Sequence, residues 1–155
     1  MSKTLERIKS LGLALPEPAA PVASYVPFIV TGNLVFISGQ VPRQNGKIAV
    51  EGHVGKEVDL AAAQKAAEIC ALNIISHLNV ACGGDLDKVE QCVKLGGFVA
   101  SAPDFYDQPK VINGASELME KVFGERGKHA RFAVGVSALP MNAAVEVDAI
   151  FSIRK

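Results

Sequence analysis

Apolar residues recur along this chain at two periods, and the switches between them mark out its elements. Leu60, Ala63, Ala67, Cys70, Ile74, Leu78 and Ala81 fall at helical spacing. Asp59 precedes them as an N-cap and Gly83-Gly84 follow as a stop, which predicts a long helix over 60–81. A second helix is predicted between Asp107 and Phe123, with Val111, Ala115, Leu118 and Val122 inward and Gly124 ending it. Runs with strand character cover 28–31 and 34–40, and Gly32-Asn33 between them predicts a hairpin. Gln44-Asn45-Gly46-Lys47 reads as a turn and 52–55 as a loop. A further strand is predicted over 89–100, where Gly96-Gly97 suggest a bulge or a close backbone approach. Near the start, 4–11 fits a short amphipathic helix with Leu5, Ile8 and Leu11 on one side, and the proline-rich 15–21 an extended connection.

The last third reads as two strands joined by a turn, each carrying a charge that alternation isolates. Phe132, Val134 and Val136 share one face, while Arg131, Ala133, Gly135 and Ser137 share the other. A guanidinium beside two residues with almost no side chain leaves room for something to sit on it. In the next strand Val145, Val147, Ala149, Phe151 and Ile153 form the apolar face and Glu146 points the opposite way. Alternation thus predicts Arg131 and Glu146 on uncovered faces, a small-anion site with an acid/base beside it. The bland reading stays open: such charges are ordinarily solvated, and Arg131 could pair with Glu146 or Asp148.

The predicted order is hairpin, helix, strand, helix, two strands, with no internal repeat or low-complexity tract. Its length of 155 residues suits one domain, 1–155, in which 1–23 form an N-terminal extension with a short helix and a proline-rich segment. A hydrophobic fraction of 49% is high for a small chain with no membrane-spanning run, and burial between subunits explains it. Sixteen basic residues against 16 acidic ones provide no basic field, which argues against nucleic acid as the main partner. Cys70, Cys82 and Cys92 form no Cys-x-x-Cys pair; they read as small core residues in a reducing compartment. With no signal-peptide pattern at the start, the expected location is the cytoplasm. His53, His77 and His129 have no metal-ligand spacing, so no metal is expected, and His77 reads as a partly exposed helix residue. No phosphate-binding glycine loop and no nucleophile elbow is present, so no cofactor is expected.

The run His129-Ala130-Arg131-x-Ala133-Val134-Gly135-Val136, then Leu139-Pro140 and Val145-Glu146-Val147, resembles the C-terminal signature of the Rid family, the YjgF-like reactive intermediate deaminases. Asn33-Leu34-Val35-Phe36-Ile37-Ser38-Gly39-Gln40 resembles the family's first hairpin. Gln108-Pro109-Lys110-Val111-Ile112-Asn113-Gly114-Ala115-Ser116 resembles the second helix of a longer subgroup. The resemblance implies an α+β, chorismate-mutase-like fold, with two helices on one face of a mostly antiparallel sheet. It also implies a homotrimer with a pocket at each subunit interface.

By the same resemblance the function is deamination of 2-aminoacrylate-type enamines and imines to 2-oxo acids and ammonia. Arg131 would hold the carboxylate and Glu146 would order water or move protons. Tyr25, Gly39 and Ala133 would line the pocket. The alternative is a non-catalytic trimeric binder of small carboxylate metabolites, and a third reading is an endoribonuclease, against which the charge balance counts. Two departures stand out. Ala133 replaces a cysteine of the archetypes, and the asparagine of their second helix falls, without gaps, on Ser116.

Overall fold

Asp59 starts the fold's main helix as the pattern predicts, its carboxylate accepting the Ala62 N–H at 2.8 Å. That helix, α2 (Leu60–Ala81), buries Ala63, Ala67, Cys70, Ile74 and Leu78 on the face the spacing picks out. In this computed structural model, which describes residues 2–20 and 23–155, it is preceded by α1 (Lys3–Ser10), the hairpin β1 (Phe28–Thr31) and β2 (Leu34–Gln40), and the minor hairpin β3 (Arg43–Gln44) and β4 (Lys47–Ile48). After it come β5 (Val89–Ala100), α3 (Gln108–Phe123), β6 (Ala130–Val136) and β7 (Val145–Ile153). Residues 21 and 22, at the end of the proline-rich segment, lie outside the described residues.

Five strands form one sheet in the order β1-β2-β7-β5-β6. Three of its pairings are antiparallel and one, β5 with β6, is parallel because α3 crosses between them. The sheet is therefore mixed, and the two predicted final strands are not neighbours: β5 lies between β6 and β7. Helices α2 and α3 cover one face. Val35, Ile37, Leu95, Val147 and Phe151 point into that layer and are buried. Truncating Phe151 to alanine would cost about 3–5 kcal/mol through lost burial and the cavity left behind.

Small residues set the closeness of the layers. A Cβ at Gly114 of α3 would collide with the backbone carbonyl of Gln64 on α2, and one at Gly97 would lie 2.5 Å from Ile112. The Gly96-Gly97 signal is thus a close approach, while the shifts in the β5 register occur earlier, around Gln91 and between Cys92 and Lys94. Asp87 anchors α1 by accepting from the Lys3 and Thr4 N–H groups, both at 2.9 Å, and from the Thr4 hydroxyl at 2.7 Å. Beyond α1 the chain runs over α2, where the Ser76 hydroxyl donates to the Pro16 carbonyl at 2.6 Å.

The other sheet face has no helix on it and is largely apolar. Ile29, Phe36, Phe98, Phe132, Val134 and Ile150 lie there by register; Phe36 is 41% and Val134 43% exposed. Phe98 and Phe132 meet edge to face with ring centres 5.2 Å apart. All three cysteines are buried, as expected of small core residues. Among the described residues no helix is long and apolar enough to cross a membrane.

Candidate functional site

The Ser38-Gly39-Gln40 end of β2 is where the sheet opens. Pairing of β2 with β7 slips between Ile37 and Gln40, so Ser38 and Gly39 leave the ladder. Ser38 uses its freedom to hold the incoming chain: its hydroxyl donates to the Val26 carbonyl at 2.7 Å and its N–H to the Pro27 carbonyl at 2.9 Å. Gly39 has no Cβ because the Glu146 carboxylate lies against its Cα. Tyr25, Gly39 and Glu146 line one cavity of about 1130 Å³, together with Gln40, Arg43 and His77. Residues 14–20 form its outer wall. His77 is only 3% exposed, contrary to the partly exposed position expected, because that wall covers its face of α2. Burial lowers its pKa.

Glu146 receives no hydrogen bond from the described residues. Burial first, and the neighbouring Asp148 charge second, raise its pKa above the ordinary carboxylate value. Burial also raises the pKa of Asp148. An acid poised in this way suits proton transfer better than structural pairing.

Arg131 lies elsewhere. Its row on the sheet runs through Leu95 to Ala149, all on the helix-covered face, whereas the Glu146 row runs through Phe98 to Val134 on the open face. The two predicted partners therefore occupy opposite faces, and neither Glu146 nor Asp148 forms an ion pair with Arg131 among the described residues. The space expected above Gly135 is partly taken by the chain itself, although Gly135 stays exposed. A Cβ at Gly135 would stand 2.5 Å from the Ser101 hydroxyl and 2.8 Å from Gln108 Nε2 at the start of α3. Alternation correctly sorted the residues of β6 into two sets but assigned the uncovered side to the wrong one. The apolar set, Phe132 and Val134, faces outward on a sheet apolar on both sides.

Arg131 hydrogen-bonds to two uncharged side chains. Its Nη1 donates to Asn113 Oδ1 at 2.8 Å and to the Ser116 hydroxyl at 3.2 Å. Ser116 Oγ also lies 2.8 Å from His129 Nε2, and His129 Nδ1 lies 2.6 Å from the Gly127 carbonyl oxygen. The roles of Asn113 and His129 were missed in the sequence. A signal existed: Asn113 and Ser116 stand three residues apart, on one face of a helix whose other stripe is apolar.

The protein family described as "YjgF/chorismate mutase-like, putative endoribonuclease" matches residues 5–152. Protein TCP17 of Trypanosoma cruzi is 44% identical over 148 residues, 95% of this chain and 92% of that protein. The crystal structure of Atu1372 from Agrobacterium tumefaciens, a protein of unknown function, is 53% identical, with a TM-score of 0.92 over 97% of this chain and 92% of that one. Escherichia coli TdcF with bound serine shares the fold at 22% identity, with a TM-score of 0.63 over 92% of this chain and 96% of that one.

Proposed function

The chain belongs to the YjgF/chorismate mutase-like family, and we propose that within it this protein hydrolyses 2-aminoacrylate-type enamines and imines, at sites built from two copies of the chain. One observation carries the reading: among the described residues, a single sheet holds an arginine that hydrogen-bonds only to uncharged side chains and an acid with no partner. Each lacks its countercharge, and they face opposite ways. A substrate touching both therefore needs Arg131 from one copy and Glu146 from another, and the apolar open face supplies a surface for copies to cover. A homotrimer closes such a head-to-tail contact. Serine bound to the relative TdcF supports a small carboxylate as the ligand class.

The chemistry follows from the two groups. The enamine tautomerises to an imine whose carboxylate takes two parallel N–H bonds from the Arg131 fork. Glu146 positions water over the imine carbon and accepts a proton as the C–O bond forms. That proton goes to nitrogen to give a carbinolamine, and the hydroxyl proton then moves to nitrogen as the C–N bond breaks and the C=O forms, releasing ammonia and a 2-oxo acid. General-base help of this kind contributes roughly 10²–10⁴-fold. Tyr25 and Gly39 border the Glu146 side of the pocket and Ala133 the Arg131 side.

A non-catalytic binder of small carboxylates would use the same arginine, and one experiment separates the two. An iminium is generated in situ by a dehydratase, and ammonia release is followed for wild type, Arg131→Lys and Glu146→Gln. Arg131→Lys keeps the charge but not the fork, and should weaken 2-oxo acid binding by about 1.5–3 kcal/mol. Glu146→Gln should bind nearly normally yet release ammonia no faster than the uncatalysed reaction. Wild type matching that spontaneous rate would leave only the binder.

A further inference from the structure

With a neutral His129 ring, the hydrogen bonds behind Arg131 have one consistent set of donors and acceptors. A guanidinium only donates and a carbonyl oxygen only accepts. Asn113 must therefore present Oδ1 to Arg131 Nη1, and the Ser116 oxygen must accept from that same nitrogen. At the far end the Gly127 carbonyl, 2.6 Å from His129 Nδ1, requires the proton on Nδ1. In the neutral ring Nε2 is then a bare acceptor, 2.8 Å from the Ser116 oxygen. The Ser116 hydroxyl gives its proton to that nitrogen, which keeps its lone pairs turned to Arg131.

We propose that His129, held as the neutral Nδ1–H tautomer, is a positioning residue for the Arg131 carboxylate site. It acts through Ser116, and the inference rests on the deaminase reading above. Both protons of Nη1 are committed, one to Asn113 and one to Ser116. Three of the five guanidinium N–H groups remain, two on Nη2 and one on Nε, and of these the Nε–H and one Nη2–H lie along one edge. That edge is a fork matched to a planar carboxylate. His129 thus determines which edge of Arg131 meets the substrate without touching the substrate itself. Without an acceptor on His129, the Ser116 hydroxyl would turn to a carbonyl of its own helix, and Nη1 would keep Asn113 alone. The guanidinium could then rotate and offer the wrong edge.

Three variants and one spectrum test this. His129→Phe keeps a ring but no acceptor, and Ser116→Ala removes the link. Each should raise KM for the imine and Kd for 2-oxobutanoate roughly three- to tenfold, the effect of one neutral hydrogen bond, with kcat within about twofold. His129→Gln retains an amide oxygen at the Nε2 position and should bind 2-oxobutanoate within about threefold of wild type. A His129→Gln protein as weakened as His129→Phe would reduce the residue to packing and overturn the proposal, as would a His129→Phe protein that binds normally. Two-bond nitrogen–proton correlation spectra of the wild-type protein should show Nε2 as the unprotonated nitrogen of His129. An Nε2–H tautomer would sink the proposal whatever the kinetics. Wild type that shows the Nδ1–H tautomer but neither binds 2-oxobutanoate nor releases ammonia would support the hydrogen-bond chain and overturn the deaminase reading alone.

Discussion

Arg131 and Glu146 stand on opposite faces of one sheet, with β5 between their strands. Their side chains cannot converge on one small molecule inside a single copy, because a sheet of backbone separates them. The cation has uncharged hydrogen-bond partners behind it, and the acid has burial and a second carboxylate beside it. The division predicts an outcome that a site within one chain could not give.

Two impaired variants should restore each other. Arg131→Lys subunits still carry Glu146, and Glu146→Gln subunits still carry Arg131. In trimers reassembled from an equal mixture, a given interface receives both native groups about one time in four, so roughly a quarter of wild-type activity should return. Sedimentation of wild type at micromolar concentration should show the trimer. A stable folded monomer, or a mixture no more active than its components, would remove the interfacial site.

Glu146 also predicts a trade between stability and function. Its pKa is raised in the folded chain, so folding favours the protonated form, and that stabilisation is complete below the ordinary carboxylate value and is lost as pH rises through the raised one. Glu146→Gln cannot ionise, so it should melt at least as high as wild type near pH 7. The two curves should converge at acidic pH, where wild type is protonated. A melting temperature clearly below wild type at pH 7 would mean that the carboxylate has a structural partner.

Much of the fold was legible because local signals agreed with one another. Asp59 and Gly83 bracket α2, Gly124 ends α3, and Gly32-Asn33 joins β1 to β2, each where turn and capping chemistry placed it. The facing of β6 was not legible. Period-two alternation separates Arg131 and Ala133 from Phe132 and Val134 but does not say which set a helix covers, and the usual rule of apolar inside fails where the sheet carries a second apolar face. Insertion of β5 between β6 and β7 was equally hidden, since pairing across long separations leaves no mark in either strand. Of the residues singled out in the sequence, Tyr25, Gly39 and Glu146 line one cavity. Asn113 escaped because its role depends on which strand passes beneath α3.

The contact between α2 and α3 depends on a missing side chain. Gly114→Ala adds a methyl group that must displace the Gln64 backbone, which a mid-helix residue of α2 cannot yield cheaply. Overpacking of this sort costs about 1–3 kcal/mol, more than the gain in helix propensity of about 1 kcal/mol on replacing glycine. Denaturant unfolding should place Gly114→Ala below wild type. Equal or greater stability would show that the helices separate freely at this point.

Gly39 presents the opposite case, a collision with something that can move. A methyl group there would overlap the Glu146 carboxylate, but the obstacle is the far end of a flexible side chain rather than backbone. Rotation of Glu146 relieves the clash, so the fold should barely notice: the melting temperature of Gly39→Ala should stay within a few degrees of wild type, the shift that about 1 kcal/mol produces in a chain of this size. The reaction should notice, because an acid displaced by about an ångström no longer reaches its water in the bonding geometry and can cost about 10²-fold in rate. Binding of a stable 2-oxo acid, which depends on Arg131, should change little. The expected result is therefore a large loss of kcat with near-normal Kd and stability. If ammonia release by Gly39→Ala equals that of wild type, the Glu146 carboxylate is not held against Gly39 for catalysis, and the acid/base must be sought elsewhere along the cavity.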